Sequence, residues 1–439
     1  MPFIPNIEEA RKKILEFLNI KDVDEILWVI PDELKLKEEI PIPYALSERE
    51  VEKYVKKLAS ENKILNVFGG AGAYNHYVPP IVRFVLRNPS FFTAYTPYQA
   101  EVSQGTLQAM YEFQTAICEL TGMDIANSSM YDGASAFAEA VLMAKRINKR
   151  DKVLIADNIN LFYKNVCQTY VQHTLEIEYV RYDEKRGTVD LEDLKEKINR
   201  NVSAFAFQHP NFFGILEDPF KLREITKEKD VLLISIFDPI SVSLIAPPGE
   251  YDADIAVCEG QPLGLPLSYG GPYVGIFTAK RDFIRMMPGR IAGRTVDTEG
   301  KEGYVMVLQT REQHIRREKA TSNICTNQML CALAILVYIL YMGKEGLQEV
   351  ALKTHNNTLK IRNALKEKGY SFPFEGDIFR EFLVELKENA EDFVNRCIKE
   401  KGIMPGIPLK KFGFNDKYLL LGATENHGES EINELISLF

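Results

Sequence analysis

Four stretches of this chain carry residue types that could hold an anion or a flat, charged ring. Met130-Tyr131-Asp132-Gly133-Ala134-Ser135 precedes a helical pattern from Ala136 to Ile147. Gly133 lets the backbone turn there, and free amides at a helix start attract phosphate, although most such starts are plain caps. His209 and Asn211 follow the apolar run AFAF. The imidazole there could stack on or bond to a planar ligand, or satisfy the core. Asp238 closes the run VLLISIF. A carboxylate at the carboxyl end of a parallel strand lies where ligands collect, and could pair with a pyridinium nitrogen or cap a turn. The fourth stretch, residues 254–277, is DIAVCEGQPLGLPLSYGGPYVGIF, a turn-rich segment between two β-like runs. It contains no lysine. Schiff-base chemistry needs a primary amine, which neither Glu259 nor Gln261 supplies.

Two further segments are dense in polar groups. Residues 91–104, FFTAYTPYQAEVSQ, gather Tyr95, Thr96, Tyr98, Glu101 and Ser103 into one loop before a helix. That density fits burial in a site or a subunit interface as well as it fits core packing. From Arg311 a basic run leads to Thr321, Ser322 and Asn323. Its hydroxyls and amide could bind phosphate, or the run is an ion-paired helix ending in a polar turn.

These groups need elements to position them. The chain has 439 residues, 46% hydrophobic and 26% charged, enough for a large core and two or more domains. Its 53 basic and 62 acidic residues leave a net charge of −9, which argues against a nucleic-acid partner. Six cysteines, at 118, 167, 258, 325, 331 and 397, form no CxxC pair and no zinc-like cluster, so no metal site is expected and a reducing cytoplasm is. The N-terminal sequence MPFIPNIEEARKK has no signal-peptide pattern, and the longest apolar run, Met329 to Met342, is too short to span a bilayer.

The pattern divides the chain into a helical arm (1–65), a large domain (66–330) and a linking helix with a small α+β domain (331–439). Glu8 to Phe17 and Glu48 to Ala59 read as amphipathic helices, and residues 68–97 as an ordered loop region. Apolar runs at 153–156, 175–182, 204–208, 231–237 and 255–257 alternate with polar helices at 191–199 and 219–229. That alternation predicts an α/β fold with a mainly parallel sheet. After Thr326 come a long helix, 327–368, bent near Gly343, a strand at 379–386, a helix at 390–401 and a strand at 418–421.

A glycine turn, a strand-end Asp and a later glycine-rich turn follow the chain order of fold-type I enzymes that use pyridoxal phosphate (PLP). Longer motifs narrow this. TAYTPYQAEVSQGTLQAMYEFQT (93–115), LTGMDIANSSMYDGASAFAEA (120–140), HPNFFGILED (209–218), EGQPLGLPLSYGGPYVGIF (259–277) and residues 287–328, from MPGRIAGRTV to ATSNICTNQ, carry a close resemblance. On them the chain resembles the α-subunit branch of the two-subunit glycine dehydrogenases (decarboxylating), the P-proteins of the glycine cleavage system.

The resemblance implies a fold-type I PLP-transferase architecture and a homologous partner, subunit 2. In that family the PLP lysine sits on the partner, in a turn of the form Lys-Thr-Phe-x-x-Pro-His-Gly-Gly-Gly-Gly-Pro. Laid without gaps on this chain, the prolines fall on Pro266 and Pro272, two glycines on Gly270 and Gly271, and the lysine on Gln261. Gly133, His209, Asp238 and Gln261 then become positions of a degenerate cofactor site. The resemblance further implies glycine as substrate, lipoylated H-protein as acceptor of the aminomethyl group, and an α2β2 assembly. Tyr95, Thr96, Tyr98, Glu101 and Ser103 are expected at the interface pocket. Thr321, Ser322 and Asn323 are expected near the phosphate of the partner's PLP. Two rivals stand beside this reading: a self-sufficient PLP enzyme using Lys280, and a purely structural subunit.

Overall fold

The computed structural model describes residues 7–38 and 40–439. The first six residues, part of the segment inspected for a leader, lie outside it. The chain divides into two compact units, residues 1–63 and Ile64–Phe439. In the first, helices Glu8–Leu18 and Glu48–Ser60 flank short turns and bury no residue. Ser47 starts the second helix with a reciprocal cap: its hydroxyl accepts from Glu50 N, and the Glu50 carboxylate accepts from Ser47 N.

The second unit is built on a seven-stranded sheet. Its order is Ile125–Ala126, Gly275–Ala279, Ile255–Glu259, Leu232–Phe237, Val202–His209, Lys152–Ala156 and Glu176–Val180. The last five are mutually parallel; Gly275–Ala279 runs antiparallel to both of its neighbours, with Ile125–Ala126 at the edge beyond it. The central strands are covered on both faces, which explains their continuous apolar runs. Helix Gly133–Asn148 packs across them and starts on an Asp132 cap, whose carboxylate accepts from Ser135 N at 2.7 Å.

Helix Met329–Glu367 leaves this layer and breaks at Gly343, which adopts φ 61°. It is the one helix among the described residues long and apolar enough to cross a membrane, yet Ala332, Leu333, Ile335, Leu336 and Tyr338 are buried in the main core. Beyond it, Glu381–Glu385, Tyr418–Gly422 and Ile407–Pro408 form an antiparallel sheet under helices Ala390–Lys401 and Glu429–Ser437. Asn66–Val67 pairs with Ile403–Met404, so the unit begins against this smaller layer before building the larger one.

Three local expectations change. The 68–97 loop region contains helices Pro80–Leu86 and Pro89–Phe92, each with proline in its first turn. The basic run is no continuous helix: only Gln313–Arg316 is α-helical, and Arg317 at φ 53° ends it. Arg311 and Glu312 turn inward instead, Arg311 donating to the carbonyls of Met287 and Gly289. A hairpin, Ile291–Val296 with Glu302–Val307, stands where no strands were anticipated.

Candidate functional site

The strand ends at Asp238 and Glu259 open onto a cleft of about 50 Å³, room for a few waters. Its polar groups are matched by the chain's own side chains. At one end, the Glu259 carboxylate accepts from Gly133 N at 3.0 Å, Gln261 N at 3.1 Å and Val274 N at 3.2 Å. The helix start that could take a phosphate thus holds an internal carboxylate. Burial raises that carboxyl to about 7 despite the three N–H donors.

At the other end, Asp238 pairs with Arg380. The guanidinium lies 3.2 Å from the Tyr74 ring centroid and 2.9 Å from His76 Nε2. A cation therefore already faces the carboxylate that would meet a pyridinium nitrogen. The other Asp238 oxygen accepts from Ile240 N and Ser241 N, at 2.9 and 2.8 Å.

Gln261 spans the middle. Its side-chain oxygen accepts from Tyr74 N at 2.8 Å, and its amide nitrogen donates to the carbonyls of Tyr74 (2.8 Å) and Leu265 (2.7 Å). The residue is 0% exposed. At the position of the family's lysine, this side chain stitches the 70–77 loop to the turn. Tyr74 in turn donates to Glu381, and Glu425 holds His76 and Tyr77 N.

The residues here do not fit PLP. The amine is absent, both charged ends are internally paired, and the open volume is small. Asp238 lines this cleft, and Gly133 and Gln261 join it through the lining residues Glu259 and Tyr74, but His209 turns away. Its Nδ1 accepts from Glu217 N at 3.1 Å, and burial lowers it to about 4, so it stays neutral. Asn211 likewise serves a turn, accepting from Phe213 N and Ile215 N while its amide holds Glu217. Lys280 pairs with Asp252 at 2.6 Å and Asp254 at 2.7 Å, at the opposite end of the sheet from Asp238.

A second region has the opposite character. Tyr95, Thr96, Arg290, Thr326 and Asn327 line a pocket of about 150 Å³ floored by Phe91, Met110 and Leu333. The Tyr95 hydroxyl lies 3.3 Å and the Thr96 hydroxyl 3.4 Å from that of Thr326. The loops at 93–98 and 321–327, over two hundred positions apart, are thereby joined. Tyr95 is 71% and Tyr98 44% exposed. Glu101 is exposed, and Ser103 begins helix Gln104–Thr121 without a side-chain cap. Thr321 and Ser322 are half-buried and Asn323 exposed; the Ser322 hydroxyl accepts from Ile324 N at 3.4 Å.

Sequence reasoning missed Arg290, Arg380 and Tyr74. Arg290 follows Pro-Gly and precedes the buried Ile291 and Ala292, an arginine set among apolar neighbours. Arg380 stands likewise against the strand EFLVE. Such placement was the available signal, since a buried arginine requires partners.

Against known proteins, the family model for the glycine cleavage system P-protein matches residues 1–439. The chain belongs to the P-protein family. Relatives named probable glycine dehydrogenase (decarboxylating) subunit 1 bear this out. One from Desulforamulus reducens is 44% identical, covering 99% of this chain and 98% of the relative. Another, from Carboxydothermus hydrogenoformans, is 45% identical over 100% and 99%. A crystal structure of glycine decarboxylase (P-protein) in inhibitor-bound form superposes with a TM-score of 0.87 at 37% identity, covering 100% of this chain and 99% of that one. A NifS-like protein (TM-score 0.64, 12% identity, 85% of this chain and 98% of that one) shares the fold. So does an alanine–glyoxylate aminotransferase from Nostoc sp. (0.59, 16%, 93% and 98%). The P-protein chain thus has the fold-type I PLP-transferase architecture.

Proposed function

We propose that this chain is the P-protein subunit without a Schiff-base lysine, completing a site whose PLP is held covalently by subunit 2. The pair removes CO2 from glycine and passes the aminomethyl group to the lipoyl arm of H-protein, in an α2β2 assembly of the cytoplasm. One observation carries this: the chain's own cofactor position is filled, with Gln261 bonded to Tyr74 and Leu265. A chain that fills its own cofactor position with side chains and keeps an exposed polar wall is suited to finishing a neighbour's pocket.

In this reading Tyr95, Thr96, Tyr98, Glu101 and Ser103 face the substrate side, where the four hydroxyls and the Glu101 carboxylate orient glycine and exclude water. Thr321, Ser322 and Asn323 offer donors to the phosphate of the partner's PLP. The rival that uses Lys280 is disfavoured, since two carboxylates hold that amine at the far end of the sheet.

The test adds PLP to the purified chain and then to the chain mixed with subunit 2. Alone, no visible cofactor band and no borohydride-reducible adduct at Lys280 is expected. With subunit 2, H-protein-dependent CO2 release is expected, and Ser322→Ala lowers it. A reducible adduct on the isolated chain, or full release with Ser322→Ala and Tyr95→Ala together, sinks the reading.

A further inference from the structure

The second region is organised by one side chain. Arg290 is 3% exposed and sits at the root of the hairpin Ile291–Val296. Its Nη2 donates to the Tyr98 hydroxyl oxygen at 2.9 Å, and its Nη1 to the Cys325 carbonyl and, at 3.4 Å, to Thr96 Oγ1. Its Nε lies 3.3 Å from the Glu312 carboxylate, and the guanidinium carbon lies 5.1 Å from the Tyr98 ring centroid. One planar fork therefore ties together residues 96–98, Glu312 and Cys325. A lysine, a point charge on a flexible stem, has no equivalent reach.

Arg290 does more here than fill a core. Glu312 offsets its charge without taking a hydrogen bond from its Nε, so the hydrogen bonds of the guanidinium all go to the neighbouring loops. Its Nη donors go to Thr96, which lines the open pocket, and to Tyr98 and Cys325 in the adjoining loops. The Tyr98 oxygen accepts from Arg290, which leaves the phenolic proton to donate, with the Cys325 thiol beside it. The Cys325 carbonyl anchors the turn into Thr326, whose hydroxyl meets Tyr95 and Thr96. The wall's exposed groups thus take their places from a residue that none of them would reveal in sequence.

We propose that Arg290 is a positioning residue for the pair's reaction: it holds Tyr98 and the Cys325–Thr326 turn in register with the partner's reaction centre. The inference rests on the reading that this wall completes the partner's site.

Arg290→Lys, Tyr98→Phe and the double variant, each assembled with subunit 2, test it. Pairing is followed by size-exclusion chromatography. Turnover is followed as kcat and KM for glycine in H-protein-dependent CO2 release, and the partner's visible cofactor band is recorded as glycine is added. Both single variants are expected to pair normally and lose roughly 10- to 100-fold in kcat, the worth of a hydrogen bond to a charged donor. The double variant is expected within about twofold of the worse single, because one residue acts through the other. Losses that multiply in the double variant overturn the proposal. So does Arg290→Lys that lowers only the melting temperature and the yield of pairs, with kcat per pair intact. Should Arg290→Lys fail to fold, Thr96→Val with Tyr98→Phe removes two of its acceptors and must reproduce the kcat loss. Normal turnover in that variant overturns the proposal equally. A wild-type pair without glycine-dependent CO2 release removes the proposed function itself, an outcome visible before any variant is compared.

Discussion

The cleft at Asp238 and the wall around Arg290 lie in the same folded unit but treat their polar groups in opposite ways. In the cleft, Glu259, Gln261, Asp238 and Arg380 all find partners inside the chain. At the wall, Tyr95 stands exposed over a pocket of about 150 Å³ and Tyr98 stands exposed nearby, tied inward through Thr326 and Arg290. A site whose charges are internally matched has become part of the scaffold, since filling it with a ligand would first require breaking those pairs. A wall whose aromatics and hydroxyls remain open is shaped for something outside the chain.

The largest test of this contrast is Asp238→Ala. It leaves the Arg380 guanidinium buried without its carboxylate, an expected loss of about 3–5 kcal/mol in chemical denaturation. A loss under about 1 kcal/mol would mean the pair is not structural. Gln261→Lys is expected to cost about 2–4 kcal/mol, because the Tyr74 N–H loses its acceptor and an ammonium with no carboxylate partner enters a fully buried position. Added PLP should give no reducible adduct at position 261. An adduct there would show that the amine alone was missing, and that the internal pairs do not fill the site.

Glu259 sharpens the contrast through pH. Its carboxyl is raised from 4.5 to about 7 in the fold, so the folded state binds the proton more tightly than the unfolded chain. The stability linked to it is present below pH 4.5 and is lost as pH rises through 7. Denaturation midpoints measured in parallel should show Glu259→Gln lacking up to about 3 kcal/mol of that decline. His209, lowered to about 4, acts in the opposite sense, losing stability as pH falls from 6.5 to 4. The comparison between the wild-type chain and the variant isolates Glu259 because both retain His209. Parallel pH curves for the two would place the Glu259 carboxyl in its ordinary range.

The smallest expected effect on the chain itself is at the wall. Tyr95→Ala removes a 71% exposed ring and should shift stability by less than about 0.5 kcal/mol while CO2 release by the assembled pair falls. Unchanged release by the pair, or a large loss of stability in the chain alone, would erase the distinction between wall and cleft.

Much of this was legible beforehand. The parallel strands Lys152–Ala156, Val202–His209 and Leu232–Phe237 announce themselves as unbroken apolar runs, because burial on both faces removes alternation. The break at Gly343 could be anticipated because the long helix passes through a glycine there. The hairpin at 291–307 was not legible: its second strand is largely half-exposed, so no strong period marks it. The run Arg311–Lys319 looks like a helix by charge alone, and only the inward pull of Arg311 and Glu312 shows why it is not.

By itself, the sequence determined that this chain has no Schiff-base amine in its glycine-rich turn, because an absent lysine is absent in any conformation. It also determined the sheet, through runs whose period reports burial, and the family, through long motifs. Tertiary structure alone decided what the glutamine in place of the amine would hold. Gln261 meets Tyr74 across 187 positions, Arg380 meets Asp238 across 142, and Arg290 meets Tyr98 across 192. Such pairings arise where strand ends and loops converge after folding, and no local pattern encodes which distant partner a buried charge will find.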